Sequence, residues 1–333
     1  MPILKIENLQ TSFVLRRGTV RAVNGVSCAL YRGETLSVVG ESGCGKSVMA
    51  LSILRLLPKR SSTALGGKVL FEGRDLMAMS DAEMRKVRGG AISMIFQEPM
   101  SALNPIVTVG RQIRETIILH QGLSKRDARD RTIEMLGLVG IPDAARRFDN
   151  YPYQMSGGML QRVMIAMALS CNPKILLADE PTTALDVTIQ AQILRLMAEL
   201  QEKLGIAIVL ITHDMGVVAE SADRVIVMYA GRKVEEAPVE DLFETPCHPY
   251  TRGLLESIPR FGLTGSQQKP ARRLNSIPGA VPPLYALPEG CAFQPRCRFA
   301  TEQCRVSPPL EQKRAGHWAA CWHSDRMTGS LSS

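Results

Sequence analysis

The stretch Gly40-Glu41-Ser42-Gly43-Cys44-Gly45-Lys46-Ser47 restricts this chain more than any other, because it has the spacing G-x-x-x-x-G-K-S and follows an apolar run, Leu36 to Val39, that reads as a strand. Glycines at 40, 43 and 45 let the backbone curl so that its N–H groups point inward at an anion. Residues Ser47 to Leu57 carry apolar positions at helical spacing. This sets the loop at a helix N-terminus, where unpaired N–H groups and the helix dipole favour phosphate. Strand, Gly-rich loop and helix together make a P-loop. In that arrangement Lys46 reaches the β- and γ-phosphates of a nucleotide such as ATP, and the Ser47 hydroxyl is a ligand for Mg2+. A Gly-rich turn carrying Lys-Ser by chance is the alternative, and it is rare between a strand and a helix.

With 333 residues the chain can hold one large α/β domain plus an appendage, or two domains. The 40 Lys and Arg residues outnumber 32 Asp and Glu, but they come as scattered pairs such as Arg16-Arg17 and Arg146-Arg147. No run reaches the about five or six like charges that mark a basic tail, so the charge reads as a solvated face plus a nucleotide site and gives no case for nucleic acid. The N-terminal Met-Pro-Ile-Leu-Lys-Ile-Glu carries an acidic residue where a signal peptide needs its apolar region, and no stretch approaches the ~18 apolar residues of a membrane span. The expectation is a soluble chain that stays in the cytoplasm unless another subunit anchors it. Eight cysteines without an export signal point to thiols or metal ligands instead of disulfides.

Residues 3–39 alternate apolar and polar positions with Gly breaks, which predicts short antiparallel strands before the P-loop strand, and Val69 to Gly73 reads as another. Helical spacing follows over Ile113 to Gln121, Lys125 to Leu138 and Gly158 to Ser170, a helical insertion in the middle third. From Ile175 the pattern becomes strand (Ile175–Ala178), helix (Val187–Leu204), strand (Ile206–Ile211) and strand (Val225–Met228), the alternation of a parallel sheet with crossover helices. Beyond about residue 260 the texture changes again. Eight of the 20 prolines fall between Pro270 and Pro309, and such a segment is expected to run extended across a surface.

Three further motifs carry chemistry. Ile175-Leu-Leu-Ala-Asp179-Glu180 is an apolar strand ending in two carboxylates, with Asp179 set to support Mg2+ and Glu180 to polarise an attacking water. A solvated acidic turn is the bland alternative. Thr212-His213-Asp214 ends the next strand and brings an imidazole within reach of a γ-phosphate, though a lone His there is more often a cap or packing residue. Ser156-Gly157-Gly158-Met159 opens a helix and offers a second anion-binding terminus; alone it is an N-cap and turn.

Taken together these residues resemble the nucleotide-binding subunits of ABC transporters, over residues 1 to about 260. The resemblance implies an α/β fold: a P-loop NTPase of the ABC type with a RecA-like core, an antiparallel β subdomain and a helical subdomain at about 98–172. It implies Walker A at 40–47, the Q-loop at Gln97, the signature at 155–159, Walker B at 175–180, the D-loop at Ala184-Leu185-Asp186 and the switch histidine at His213. Mg2+ would be held by Ser47, Gln97 and Asp179, and Phe13, beside Val20, would stack on adenine. The signature reads Met-Ser-Gly-Gly-Met instead of the common Leu-Ser-Gly-Gly-Gln, with Ser156, Gly157 and Gly158 intact. In this family each ATP is sandwiched between Walker A of one subunit and the signature of another, so one copy alone should hydrolyse poorly. Gln97 would couple the site to the helical insertion, whose surface meets membrane subunits.

The tail carries Cys291-x5-Cys297-x6-Cys304-x16-Cys321. These spacings do not fit the paired C-x2-C clamps of zinc ribbons, and the tail has too few apolar residues for a core of its own. Four thiolates can hold a [4Fe–4S] cluster; zinc or no metal are the alternatives. Cys28, Cys44, Cys171 and Cys247 read as simple thiols, and His317 and His323 as surface histidines unless a cysteine proves remote. With His248-Pro-Tyr-Thr-Arg-Gly-Leu-Leu255, the tail resembles the extension of the ATPase subunits of bacterial oligopeptide and dipeptide importers, which carry a cluster. That implies residues 1–260 as the nucleotide-binding domain and 261–333 as the Pro-rich, irregular, Cys-containing extension. It also implies a place on the cytoplasmic face of the inner membrane, with a related second ATPase, two transmembrane permeases and an extracytoplasmic peptide-binding protein. Nickel, sugar or glutathione as cargo and a soluble ABC ATPase that remodels nucleic acid or ribosomes rank below it.

Overall fold

Alternating burial along β1 (Leu4–Leu15) builds the first layer: Leu4 and Ile6 point inward, then Leu9 and Thr11, while Lys5, Asn8 and Gln10 face solvent. The inward parity switches between Ile6 and Leu9. There Asn8 takes φ 50° and the antiparallel register with β2 (Gly18–Leu30) shifts, a β-bulge. The computed structural model that shows this describes residues 1–327 except 17, 59–62, 99–101, 184 and 259–276. β3 (Thr35–Val39) is buried at every position and leads through residues 40–45 into helix α1 (Lys46–Ile53). The helix ends before Leu57, short of its apolar spacing. Arg55 turns to φ 52°, and the Arg88 guanidinium donates to the Leu54 and Arg55 carbonyls (2.7 and 2.9 Å) that a further turn would have used. β4 (Thr63–Phe71) and β5 (Arg74–Asp75) complete a four-stranded antiparallel sheet in the order β2-β1-β4-β5. Gly67 lies opposite the bulge, where a Cβ would sit 2.3 Å from the Asn8 carbonyl oxygen.

Helix α2 (Asp81–Val87), opened by a Ser80–Glu83 capping box, precedes β6 (Ile92–Ile95). The middle third is helical as its spacing predicts: α3 (Val109–Gln121), α4 (Lys125–Leu138), the short α5 (Ala144–Arg147) and α6 (Gly157–Leu169). The chain then alternates through β7 (Ile175–Asp179), α7 (Val187–Leu204), β8 (Ala207–Thr212), α8 (Met215–Ser221) and β9 (Arg224–Tyr229). β6, β7, β8, β3 and β9 are parallel neighbours in that order. Both faces of this sheet are covered, which the strands express as a two-residue period. Leu177, Val209 and Ile211 join the core with α1 and the antiparallel sheet, and Leu176, Ala178, Ile208 and Leu210 join the core with α3, α4 and α6.

Antiparallel β10 (Arg232–Pro238) follows β9, then α9 (Val239–Glu244) and α10 (Pro249–Glu256). The tail departs from the expectation of an extended surface segment. Residues 277–310 run irregularly over β9 and α10, burying Phe293 and packing Ile277, Val281 and Leu287 against the apolar cluster that contains Tyr229 and Tyr250. A hairpin then forms from β11 (Glu311–Arg314) and β12 (His317–Ala319), and β12 pairs with β10, so the tail continues the main sheet at its edge. It needs no core of its own because it borrows one. The 260/261 division lies outside the described residues, as does Ala184.

Candidate nucleotide site and cysteine cluster

β3 delivers the loop at the C-terminal edge of the parallel sheet, and two of its glycines are obligatory. A Cβ on Gly40 (φ 150°) would lie 2.3 Å from the Met228 carbonyl oxygen, and one on Gly45 (φ 106°) 2.1 Å from that of Ala22. Lys46 is buried, and its Nζ donates to the carbonyls of Gly40 and Glu41 at 2.6 and 3.2 Å. The Cys44 thiol beneath the loop is raised by burial, as expected of a simple thiol.

Two strands away, β7 ends at Asp179, whose Oδ1 accepts from the Ser47 hydroxyl at 3.0 Å. Burial pushes the Asp179 carboxyl up, against the Ser47 hydrogen bond. Glu180 next to it goes the other way. Burial alone would raise it, but hydrogen bonds from Thr183 (2.9 Å) and His213, with the charges of His213 and Lys46, bring it below its ordinary value. Gln97, just beyond β6, donates its Nε2 to Glu180 Oε2 at 2.9 Å, and His213 Nδ1, just beyond β8, lies 3.3 Å from Oε1. Glu180 itself sits at φ 46°, a strained backbone for a residue with a Cβ, held by its N–H donating to the Ile211 carbonyl at 2.9 Å. The two neighbouring carboxyls are thus pushed in opposite directions by their surroundings. Of the residues singled out in the sequence, Lys46, Ser47, Gln97, Asp179, Glu180 and His213 therefore meet here. Thr183 was missed, although two hydroxyls follow Pro181 in the sequence.

The Ser156 hydroxyl caps α6, accepting from the Met159 N–H at 3.4 Å, and Asp186 caps α7, accepting from Ile189 at 2.9 Å. These two helix starts are packed together: a Cβ on Gly158 would meet Ile189 Cγ2 at 2.9 Å. Phe13 is half-buried in β1, opposite Val20 on β2 and Thr63 on β4.

In the tail, Cys291, Cys297, Cys304 and Cys321 line one small cavity with His248, Phe293, Pro308, Trp322 and His323. Burial raises the thiols of Cys291 and Cys297 and pushes that of Cys321 up to about 12. The two histidines are not surface residues. His323 is buried, its Nε2 2.8 Å from the Thr301 hydroxyl, and His317 is fully enclosed against Glu235 and Cys247. The burial of His317 depends on β12 pairing with β10, and that of His323 on the tail's return to Thr301, neither of which is local in sequence. The donor atoms of Glu235, Cys247 and His317 lie within 4.8 Å of one another. The Glu235 carboxylate already accepts from the N–H groups of Cys247 (2.5 Å) and His248 (3.0 Å) and faces His317 Nε2 (2.6 Å).

A parallel sheet carrying a Gly-rich loop, an Asp-Glu strand end and a histidine at one edge, with antiparallel and helical layers beside it, defines an ATP-binding cassette. Comparison with known proteins agrees. The ABC transporter family model matches residues 23–183, and that of the oligopeptide/dipeptide transporter C-terminal region matches 234–304. The chain is 54% identical to a probable peptide ABC transporter ATP-binding protein, y4tR, of Sinorhizobium fredii, over 98% of this chain and 96% of that one. It is 52% identical to the dipeptide transport ATP-binding protein DppD of Bacillus subtilis, over 97% and 95%. Among solved structures it is similar to the ATP-binding cassette MJ0796 in a post-hydrolysis dimer bound to ADP and Pi (31% identity, TM-score 0.63, 71% of this chain and 98% of that one). The chain belongs to the ABC transporter family, as one of its ATP-binding subunits with an oligopeptide/dipeptide-type C-terminal region.

Proposed function

We propose that this chain is the ATP-hydrolysing subunit that powers import of peptides across the bacterial inner membrane. The carrying observation is the convergence of Ser47 on Asp179, and of Gln97 and His213 on Glu180, in a chain that also has the oligopeptide/dipeptide C-terminal region. The Gly40–Ser47 loop, with Glu41, Ser42, Gly43 and Cys44, wraps the phosphates of ATP; Lys46 pairs with the β- and γ-phosphates and Phe13 stacks on adenine. Ser47, Asp179 and Gln97 fit Mg2+, which when bound offsets the phosphate charge. Glu180, ionised and held from three sides, takes the proton of the attacking water, and His213 contacts the γ-phosphate. Ser156, Gly157, Gly158 and Met159 serve the ATP of a second, related ATPase, and Asp186 lies at the seam. Among the described residues no helix is long and apolar enough to cross a membrane. In this reading two permease subunits form the path, an extracytoplasmic binding protein supplies the peptide, and the chain docks peripherally on the cytoplasmic face. No nucleic acid takes part.

Residues 1–260 act as the nucleotide-binding domain, with its helical subdomain at about 98–172, and 261–333 as its extension. The four cysteines fit a [4Fe–4S] cluster better than zinc. They line one small cavity, and their x5, x6 and x16 spacings lack the paired C-x2-C clamps of zinc ribbons. When bound, the cluster cross-links residues 291–321.

The test is ATP-dependent uptake of a labelled peptide into vesicles holding the chain, its second ATPase and the permease pair, with binding protein outside the membrane face that carries the ATPases. Uptake that stops with Glu180→Gln supports the reading. ATP hydrolysis driving nickel or glutathione instead keeps the machine and overturns the cargo.

A further inference from the structure

The tail reaches back to the phosphate-binding loop. Arg296, the residue before Cys297, forms a two-pronged ion pair with Glu41, the second residue of the loop: Nη1 donates to Oε2 at 2.6 Å and Nη2 to Oε1 at 2.9 Å. Its side chain is only 4% exposed and is held on every side. Nε donates to the Pro278 carbonyl at 2.9 Å, and the guanidinium lies 5.9 Å from the ring centres of both Tyr229 and Phe293. From α10 the Tyr250 hydroxyl accepts the Glu41 backbone N–H at 2.7 Å. Both the backbone and the side chain of one loop residue are therefore clamped from the C-terminal region, next to the carbonyls on which Lys46 rests.

We propose that Arg296 is a positioning residue for the nucleotide site, through which the cysteine-bearing tail sets the affinity of the loop for ATP. The inference rests on the reading of this loop as the ATP site and deepens it. A carboxylate on the loop repels a triphosphate. Paired with Arg296 it is neutralised and drawn to the tail side, leaving Lys46 and the loop N–H groups to the phosphates. Because Cys297 adjoins Arg296, an ordered cysteine site fixes the arginine, and the two sites are linked reciprocally.

The experiment measures MgATP affinity with a fluorescent ATP analogue on the full chain, beside melting temperature and iron content. Arg296→Gln is expected to weaken binding about tenfold at unchanged iron content, and Arg296→Lys, which keeps the charge and loses the fork, by less. In a double-mutant cycle, Glu41→Gln should remove most of the effect of Arg296→Gln, which a merely structural arginine would not show. Equal affinity in parent and Arg296→Gln, or additive single effects, overturns the coupling. Should Arg296→Gln not fold, Arg296→Lys binding as tightly as the parent overturns it. A parent chain that binds no ATP overturns the reading of the site itself, a separate failure.

Discussion

Glu235 and His317 form an enclosed ion pair, Oε1 to Nε2 at 2.6 Å, with neither side chain exposed to solvent. The pair ties β10 to the tail hairpin. Removing one partner of such a pair strands a buried charge, a cost of about 3–5 kcal/mol. His317→Ala should lower stability by about that amount and open the hairpin at residues 311–319 to protease. Thermal melts with limited proteolysis check both; an unchanged melt with an intact tail would sink the assignment.

The same pair sets a pH dependence. Burial disfavours charge on His317, but Cys247 and then Glu235 outweigh it and raise its pKa to about 9 from the ordinary histidine value of about 6.5. A folded value above the unfolded one means stabilisation fully present below about pH 6.5 and lost as pH rises through about 9. The melting temperature should therefore fall across that interval, and His317→Gln should flatten the fall. A parent as steep as the variant would remove His317 as its source.

Glu180→Gln keeps the shape of the side chain and removes the carboxylate proposed as the proton acceptor. ATP binding should persist while turnover drops about 10²- to 10⁴-fold, the usual share of a general base. The lowered Glu180 carboxyl stays ionised well below neutral pH, so any loss of turnover between about pH 8 and 6 must come from another group. Steady-state hydrolysis and nucleotide binding on the same preparation decide it; hydrolysis at the parental rate would end the assigned role.

Lys46→Ala tests the loop itself. A charged hydrogen bond contributes roughly 1.5–3 kcal/mol, so ATP affinity should fall about ten- to hundredfold with the fold intact, since among the described residues Nζ otherwise donates to the carbonyls of Gly40 and Glu41 and the Cys44 sulfur. Calorimetric titration showing tight binding by the variant would mean that the phosphates lie elsewhere.

Much of this architecture was legible because it is local. The loop spacing, the Asp179-Glu180 strand end and the helix Val187–Leu204 depend on neighbours in sequence, and the strands at 175–179 and 207–212 announce their double-sided burial as unbroken apolar runs. What stayed hidden depends on long-range closure. His317 looks like a surface histidine until β12 docks on β10, and Arg296 looks like one scattered cation until its partner Glu41, 255 residues away, is seen. The early end of α1 is of the same kind, since Arg88 takes the carbonyls a longer helix would need.

Cys297→Ser addresses the tail directly. Burial raises the Cys291, Cys297 and Cys321 thiols, so in the absence of metal they sit as neutral groups around a small cavity, and binding metal as thiolates must release protons. Parent chain purified without oxygen should carry about four irons and four acid-labile sulfides, with broad absorption near ~400 nm, and reconstitution should improve as pH rises. The Ser variant should lose most of the iron and become protease-sensitive between residues 291 and 321, because 3₁₀ turns at Gln294–Arg296 and Glu302–Arg305 are the only regular structure described in that span outside the hairpin. Zinc or no metal in the parent would overturn the cluster while leaving the nucleotide site as described; full iron content in the variant would remove Cys297 from the ligand set.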